Sequence, residues 1–292
     1  MTAHRAKRAT VETFELGEGP LWDARSGVLR WVDITAGAVL AGTLEADGTI
    51  RPTERAEFGE TVGAVTLAED GGLVVVGARR LWSVSADGRR FGGTTLFADD
   101  VPARTNDAAV GPDGSLLVGT HALDDDPGPQ CLLRVSAGTV TVLDDDLLLS
   151  NGLAFSPDGG TLYSIDTLAR TVWARDYDPA TGATGPRRVH LTTEGMPDGA
   201  TVDADGGLWI AFWGAAEVRR FAPDGRRTDT VAVPAPNASS VCFAGPGLDT
   251  LVITSARQGL STAELAAHPA SGALFTARVG RRGLPEPHYR TA

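Results

Sequence analysis

The stretch NGLAFSPDGGTLYSIDT, residues 151–167, reads as one unit: alternating apolar residues, a turn carrying Asp158 and Gly159, then a second alternating run. Period-two alternation marks a strand, and an Asp-Gly pair between two such runs marks a tight turn, so the segment predicts a β-hairpin. The pattern recurs as EGPLWDARSGVLRWVDI from Glu18, GAVTLAEDGGLVVVGA from Gly63, NDAAVGPDGSLLVGTH from Asn106, DGATVDADGGLWIAFW from Asp198 and SSVCFAGPGLDTLVITSA from Ser239. The starts are spaced 41 to 47 residues apart, and each hairpin is followed by a weaker two-strand stretch such as VRRFAPDGRRTDTVAV. Each repeat therefore holds about four strands.

Six four-stranded repeats define an all-β chain folded as a six-bladed β-propeller, with blades burying their faces against one another around a central channel. The 36 glycines fit the many tight turns this requires. After the sixth hairpin only one convincing strand remains, Ala273 to Val279, so Val11 to Leu16, VETFEL, is expected to supply the missing outer strand and close the ring. Residues 1–292 then read as a single propeller domain, with 1–10 expected as a flexible N-terminal tail.

Composition narrows the function classes. With 42% hydrophobic and 22% charged residues, usage is that of an ordinary globular protein, which excludes disorder. A net charge of −11 without any basic cluster excludes nucleic acid as a partner. The N-terminus MTAHRAKRAT lacks the apolar stretch of a secretory signal and no run approaches a membrane span, so the expectation is a cytoplasmic protein without a membrane partner. Cys131 and Cys242 lie far apart and read as buried free thiols outside any site.

The first residue of each innermost strand faces the mouth of the channel. Alignment of the repeats brings Glu18, Gly63, Asn106, Asn151, Asp198 and Ser239 to that position. Glu18, Asn151 and Asp198 would meet there as three oxygen ligands, a set that suits a hard divalent cation. Neither His nor Cys belongs to the set, which disfavours structural zinc. The plainer alternative is that these residues line a wet channel with hydrogen bonds. Because the second strand of each hairpin returns to the same mouth, Asp33, His121, Asp166 and Trp213 are expected on its rim. Thr120, Thr167 and Ser255 join them there, which makes the expected rim mostly polar.

In order and spacing, GEGPLW at 17–22, RTND at 104–107, SNGLAFSPDG at 150–159 and PDGATVDADGGLW at 197–209 resemble the senescence-marker-protein (regucalcin)/gluconolactonase/luciferin-regenerating-enzyme family, over nearly the whole chain. The resemblance implies a propeller holding one divalent metal on the residues matching Glu18, Asn151 and Asp198. Calcium comes first, with zinc, manganese, magnesium or ferrous iron as alternatives. It also implies substrate contacts from Arg104 and Asn106, and Asp198 as general base. The implied activity is that of a lactonase, a carboxylic ester hydrolase acting on a sugar lactone. The chain departs from the pattern at THALDDDPGPQ, where many relatives carry Met in place of His121.

Lactone hydrolysis needs a polarised carbonyl, an activated water and stabilisation of an oxyanion. Asp198 would take the water's proton, and activation of the water by the metal itself is the rival. Arg104 and Asn106 would position the substrate, with His121 and a stacking Trp213 as further wall candidates. Asp107 reads as support for Asn106 or as an ordinary turn residue, and Asp203 as a turn residue without a role in the site. No Gly-x-Ser-x-Gly elbow occurs, so a seryl hydrolase is unsupported. The competing classes are a calcium-binding regulatory propeller without turnover, a scaffold propeller, and a metal-dependent hydrolase of other lactones or esters.

Overall fold

In the computed structural model, which describes residues 1–123 and 128–291, each of the six hairpins forms the two inner strands of a separate sheet. The innermost strands are Gly17–Asp23, Val62–Leu67, Ala103–Val110, Ser150–Phe155, Met196–Val202 and Ala238–Ala244. Each touches the next and the sixth touches the first, so the ring is closed and the chain is a six-bladed β-propeller.

Strands such as Leu208–Trp213, LWIAFW, are apolar on both faces because each blade is sandwiched between two neighbours. Six buried clusters fill the six interfaces between blades. Trp209 of the fifth blade meets Phe243 of the sixth edge to face, with ring centroids 6.0 Å apart. Burial of each such side chain contributes roughly 1.5–3 kcal/mol, so the interfaces hold the ring together.

All six inner hairpins share one irregularity. The register between first and second strand shifts at Glu18/Leu21, Val62/Ala64, Thr105/Ala108, Asn151/Leu153, Pro197/Ala200 and Ala238/Val241. A bulge inserts an unpaired residue and re-aims side chains, and here it falls at the axial position of every blade. Small residues beside the bulges let neighbouring strands approach. A Cβ on Gly152 would lie 2.5 Å from the Asp198 carbonyl oxygen, and one on Gly63 2.6 Å from that of Asn106.

Closure differs from the expected route. The outer strand of the sixth blade is Lys7–Arg8, paired with Phe275–Ala277, and not Val11 to Leu16. Val11 is exposed, and the segment after Arg8 carries the chain inward from the rim to the axis, with Phe14 N–H on the Gly272 carbonyl at 2.8 Å. A strand cannot lie at the rim and enter the axis within the same few residues, so closure moves upstream. The expectation of a flexible tail over 1–10 is corrected with it: Thr2–Arg5 adds a fifth, parallel strand to the fifth blade, and Lys7–Arg8 completes the sixth.

The C-terminal segment, to which the repeat assigns no place, straps the far end of the channel. It runs from the Arg282 carbonyl, which accepts from Ala204 N–H, to Tyr289 N–H on the Leu67 carbonyl at 2.7 Å. Beneath the axial ring, Leu284, Pro285, Glu286 and Pro287 close a cavity of 430 Å³ that Asp107 also lines. Among the described residues no helix is long and apolar enough to cross a membrane.

Candidate active site

The bulges bring Glu18, Asn106, Asn151 and Asp198 to one cavity of 220 Å³ at the open mouth, and Arg104, His121, Thr167 and Trp213 line it too. Four blades contribute these residues. Arg104 and His121 are register partners across the inner hairpin of the third blade. The Asn106 amide is held at both ends: its Oδ1 accepts from Arg104 Nη1 at 2.9 Å and its Nδ2 donates to the Ser150 carbonyl at 3.1 Å. Arg104 Nη1 also donates to the Thr105 carbonyl at 2.8 Å, which fixes the guanidinium against the wall.

Glu18 and Asp198 are 8% and 4% exposed. Burial, and then the charges of Asp198 and Asp107, hold the Glu18 carboxyl well above the usual range, against a smaller opposite pull from Arg104. The Asp198 carboxyl is raised likewise by burial and by Asp107, although the Asn151 amide and Gly199 N–H stabilise its charge. Asp107 itself is pushed up to about 6, chiefly by burial. Burial lowers Arg104 to about 10, which leaves it charged at neutral pH.

Two desolvated carboxyls, both raised further by the charge of Asp107, describe a place short of positive charge. Among the described residues no three His, Cys, Asp or Glu side chains converge as metal ligands, so a cation here would draw further donors from neutral oxygens, and the Asn151 amide lines the same cavity. The donors are all hard oxygens, and the residues present fit a divalent cation such as calcium.

His121 lies with Nδ1 2.5 Å from the Ala122 carbonyl oxygen, so Nδ1 carries the proton and Nε2 is left as an acceptor. Its protonation is disfavoured by burial and by Arg104. Asp124 to Pro127, which follow shortly after in the chain, lie outside the described residues.

The expected polar rim is corrected. Asp33 turns away from the cavity and accepts from Glu15 and Leu16 N–H, both at 3.1 Å, and Asp166 does the same for Leu148 and Leu149 at 3.0 and 3.1 Å. Each carboxylate clamps the backbone leading into an inner strand, where unpaired N–H groups need acceptors. Thr120 is bonded to Gln130 and Ser255 to the Ala273 carbonyl, both outside the cavity. Leu16, Ile34, Leu149, Leu168 and Met196 stand at the mouth instead. Leu16 and Leu149 lie two residues before the axial positions of their blades, so extending the repeat upstream would have found them. The second bulge residue Asp107, which charges both Glu18 and Asp198, was legible only as the neighbour of Asn106.

A six-bladed propeller with this axial oxygen cluster defines a class, and the chain belongs to it by sequence. It is a member of the SMP-30/gluconolactonase/LRE-like family, whose profile covers residues 16–257. It is 35% identical over 282 residues to 6-deoxy-6-sulfogluconolactonase of Pseudomonas putida, with 94% of each chain aligned. It is 34% identical to a pentonolactonase of Haloferax volcanii, with 96% of each covered. The crystal structure of a calcium-binding protein, regucalcin, from Agrobacterium tumefaciens superimposes with a TM-score of 0.93 at 29% identity, over 99% of both chains.

Proposed function

We propose that this protein is a lactonase that hydrolyses a sugar lactone with one divalent cation held by Glu18, Asn151 and Asp198. The observation that carries this reading is that those three residues share one small cavity with Arg104 and Asn106, and that burial keeps its two carboxyls raised despite the neighbouring Arg104 charge. The lactonase names of the two relatives support it.

A dication bound there would balance the carboxylates and polarise the ester carbonyl. Arg104 and Asn106 hydrogen-bond the ring and its hydroxyls, holding the carbonyl carbon over the axis. His121 Nε2 accepts from a neighbouring hydroxyl. Asp198 removes the proton of the attacking water as oxygen adds to the carbonyl carbon. The ring C–O bond then breaks, and the freed alkoxide oxygen takes the proton held on Asp198 to become the chain hydroxyl of the open-chain acid. The C–H face of the sugar packs on Met196 and Trp213. A cavity of 220 Å³ suits one small ring better than an extended acyl chain.

The test is a comparison of kcat/KM for gluconolactone, arabinonolactone, xylonolactone and an acyl-homoserine lactone. It uses metal-stripped protein with each dication restored in turn. Sugar lactones should be turned over fastest, and only with metal. If no sugar lactone exceeds the rate without enzyme, the proposal is wrong. Metal binding without turnover on any lactone would favour the second reading, a calcium-binding regulator, for which the likeness to a calcium-binding regucalcin speaks.

A further inference from the structure

Thr167 follows the second strand of the fourth blade, 5% exposed, and its hydroxyl makes two bonds of different kinds. It donates to the Pro197 carbonyl at 2.7 Å. A carbonyl can only accept, so the hydroxyl's one proton is committed there. What remains on Thr167 Oγ1 is lone pair, and Asn151 Nδ2 lies 3.2 Å from it. An amide oxygen in that place would set lone pair against lone pair, so Thr167 selects which end of the Asn151 amide faces it. The second N–H of the amide meets the Asp198 carboxylate. Both donors are then used, and among the described residues the Asn151 oxygen is left with Gly152 N–H alone, at 3.3 Å.

The repeat supplies an independent comparison. Thr167 N–H donates to the Leu149 carbonyl, two residues before axial Asn151. The matching backbone bonds are made by Ile34 to Leu16 in the first blade and by Ala256 to Asn237 in the sixth. Neither carries a side-chain hydroxyl. Of these three blades only the fourth has an axial amide, and only its turn carries a hydroxyl to orient it.

We propose that Thr167 is a positioning residue for the cation site: it turns the Asn151 amide so that its oxygen is the ligand, and ties that amide to the strand that carries Asp198. This rests on the cation reading above. Outer contacts of this kind set ligand orientation and commonly change metal affinity by about 10–100-fold.

The test uses the full chain, stripped of metal, with calcium chloride titrated by calorimetry in the absence of substrate and the calcium-dependent rise in Tm followed in parallel. Thr167→Val removes both bonds at nearly constant volume and should weaken calcium binding about tenfold or more, whereas Thr167→Ser should restore it. Should Thr167→Val not fold, Thr167→Ala serves in its place. If wild type binds calcium and the variant binds it equally well, the positioning role is overturned and the cation reading stands. A higher KM with unchanged calcium affinity would also overturn it, assigning Thr167 to substrate. If wild type binds neither calcium nor another dication, the cation reading fails and the proposal with it.

Discussion

Asp203 and Arg220 form a two-point ion pair in the fifth blade, Nε to Oδ2 at 2.6 Å and Nη2 to Oδ1 at 3.1 Å. Asp203 is fully buried and also accepts from the Trp209 indole at 2.8 Å and Gly207 N–H at 2.8 Å. Asp203 sits at the turn as read from the sequence and outside the site, and it is in addition a buried junction between that turn, a core tryptophan and the third strand.

Asp203→Ala strands the Arg220 guanidinium without its partner. A loss of about 3–5 kcal/mol is expected from breaking a buried pair on one side. Urea denaturation reads this directly. Calcium affinity, measured well below the melting transition, should stay at the wild-type value, because Asp203 does not reach the mouth cavity.

Asn151→Ala and Asp198→Ala should both weaken dication binding by tenfold or more, on the order seen when metal-site contacts are lost. They should part in kinetics. At saturating metal, Asp198→Ala should lower kcat by about 10²–10⁴, the usual share of a positioned base, and Asn151→Ala by less. Equal kcat losses would remove the base role from Asp198.

Arg104 touches Asn106 and the cavity but neither Glu18 nor Asp198 through a hydrogen bond. Arg104→Met should raise KM for a hydroxylated lactone about tenfold or more, corresponding to one charge-assisted hydrogen bond. Calcium affinity should change little. A variant with wild-type KM would place the substrate elsewhere.

Burial pushes the Asp107 carboxyl up to about 6 and that of Glu286 up to about 7. In the unfolded chain both would ionise close to pH 4. The folded state therefore binds more protons, and the stability these groups confer is present below about pH 4 and lost as pH rises through 6 and 7. For Asp107 the loss is about 3 kcal/mol, from a shift near two pH units. Metal-stripped protein should thus be more stable at pH 5 than at pH 8, and Asp107→Asn should flatten the difference. Denaturant midpoints at the two pH values decide it, and an unchanged difference in the variant would mean that Asp107 is solvated.

Much of this was legible along the chain because a propeller writes its architecture as a period. Each blade needs the same alternation and the same turn, so the copies from Glu18 to Ser239 determine the blade number, the inner hairpins and the six residues that share the axial position. That position stands out because Glu18, Asn106, Asn151 and Asp198 are polar within strands otherwise buried against neighbouring blades. The family motifs add Arg104 on the same grounds.

Other features rest on contacts that no local pattern encodes. Lys7–Arg8 closes the ring where Val11 to Leu16 was expected, because the direction in which the chain must approach the axis is a property of the whole ring. The strap from Arg282 to Tyr289 has no repeat to betray it. Asp33 and Asp166 look like rim residues by register, yet their carboxylates serve backbone donors, while Leu16, Ile34 and Met196 take the rim. Sequence determined which residues could converge, since strand alternation and repeat spacing are local. Tertiary structure alone decided which way Asn151, Asp107 and Thr167 face, since the partners that orient them come from neighbouring strands and blades.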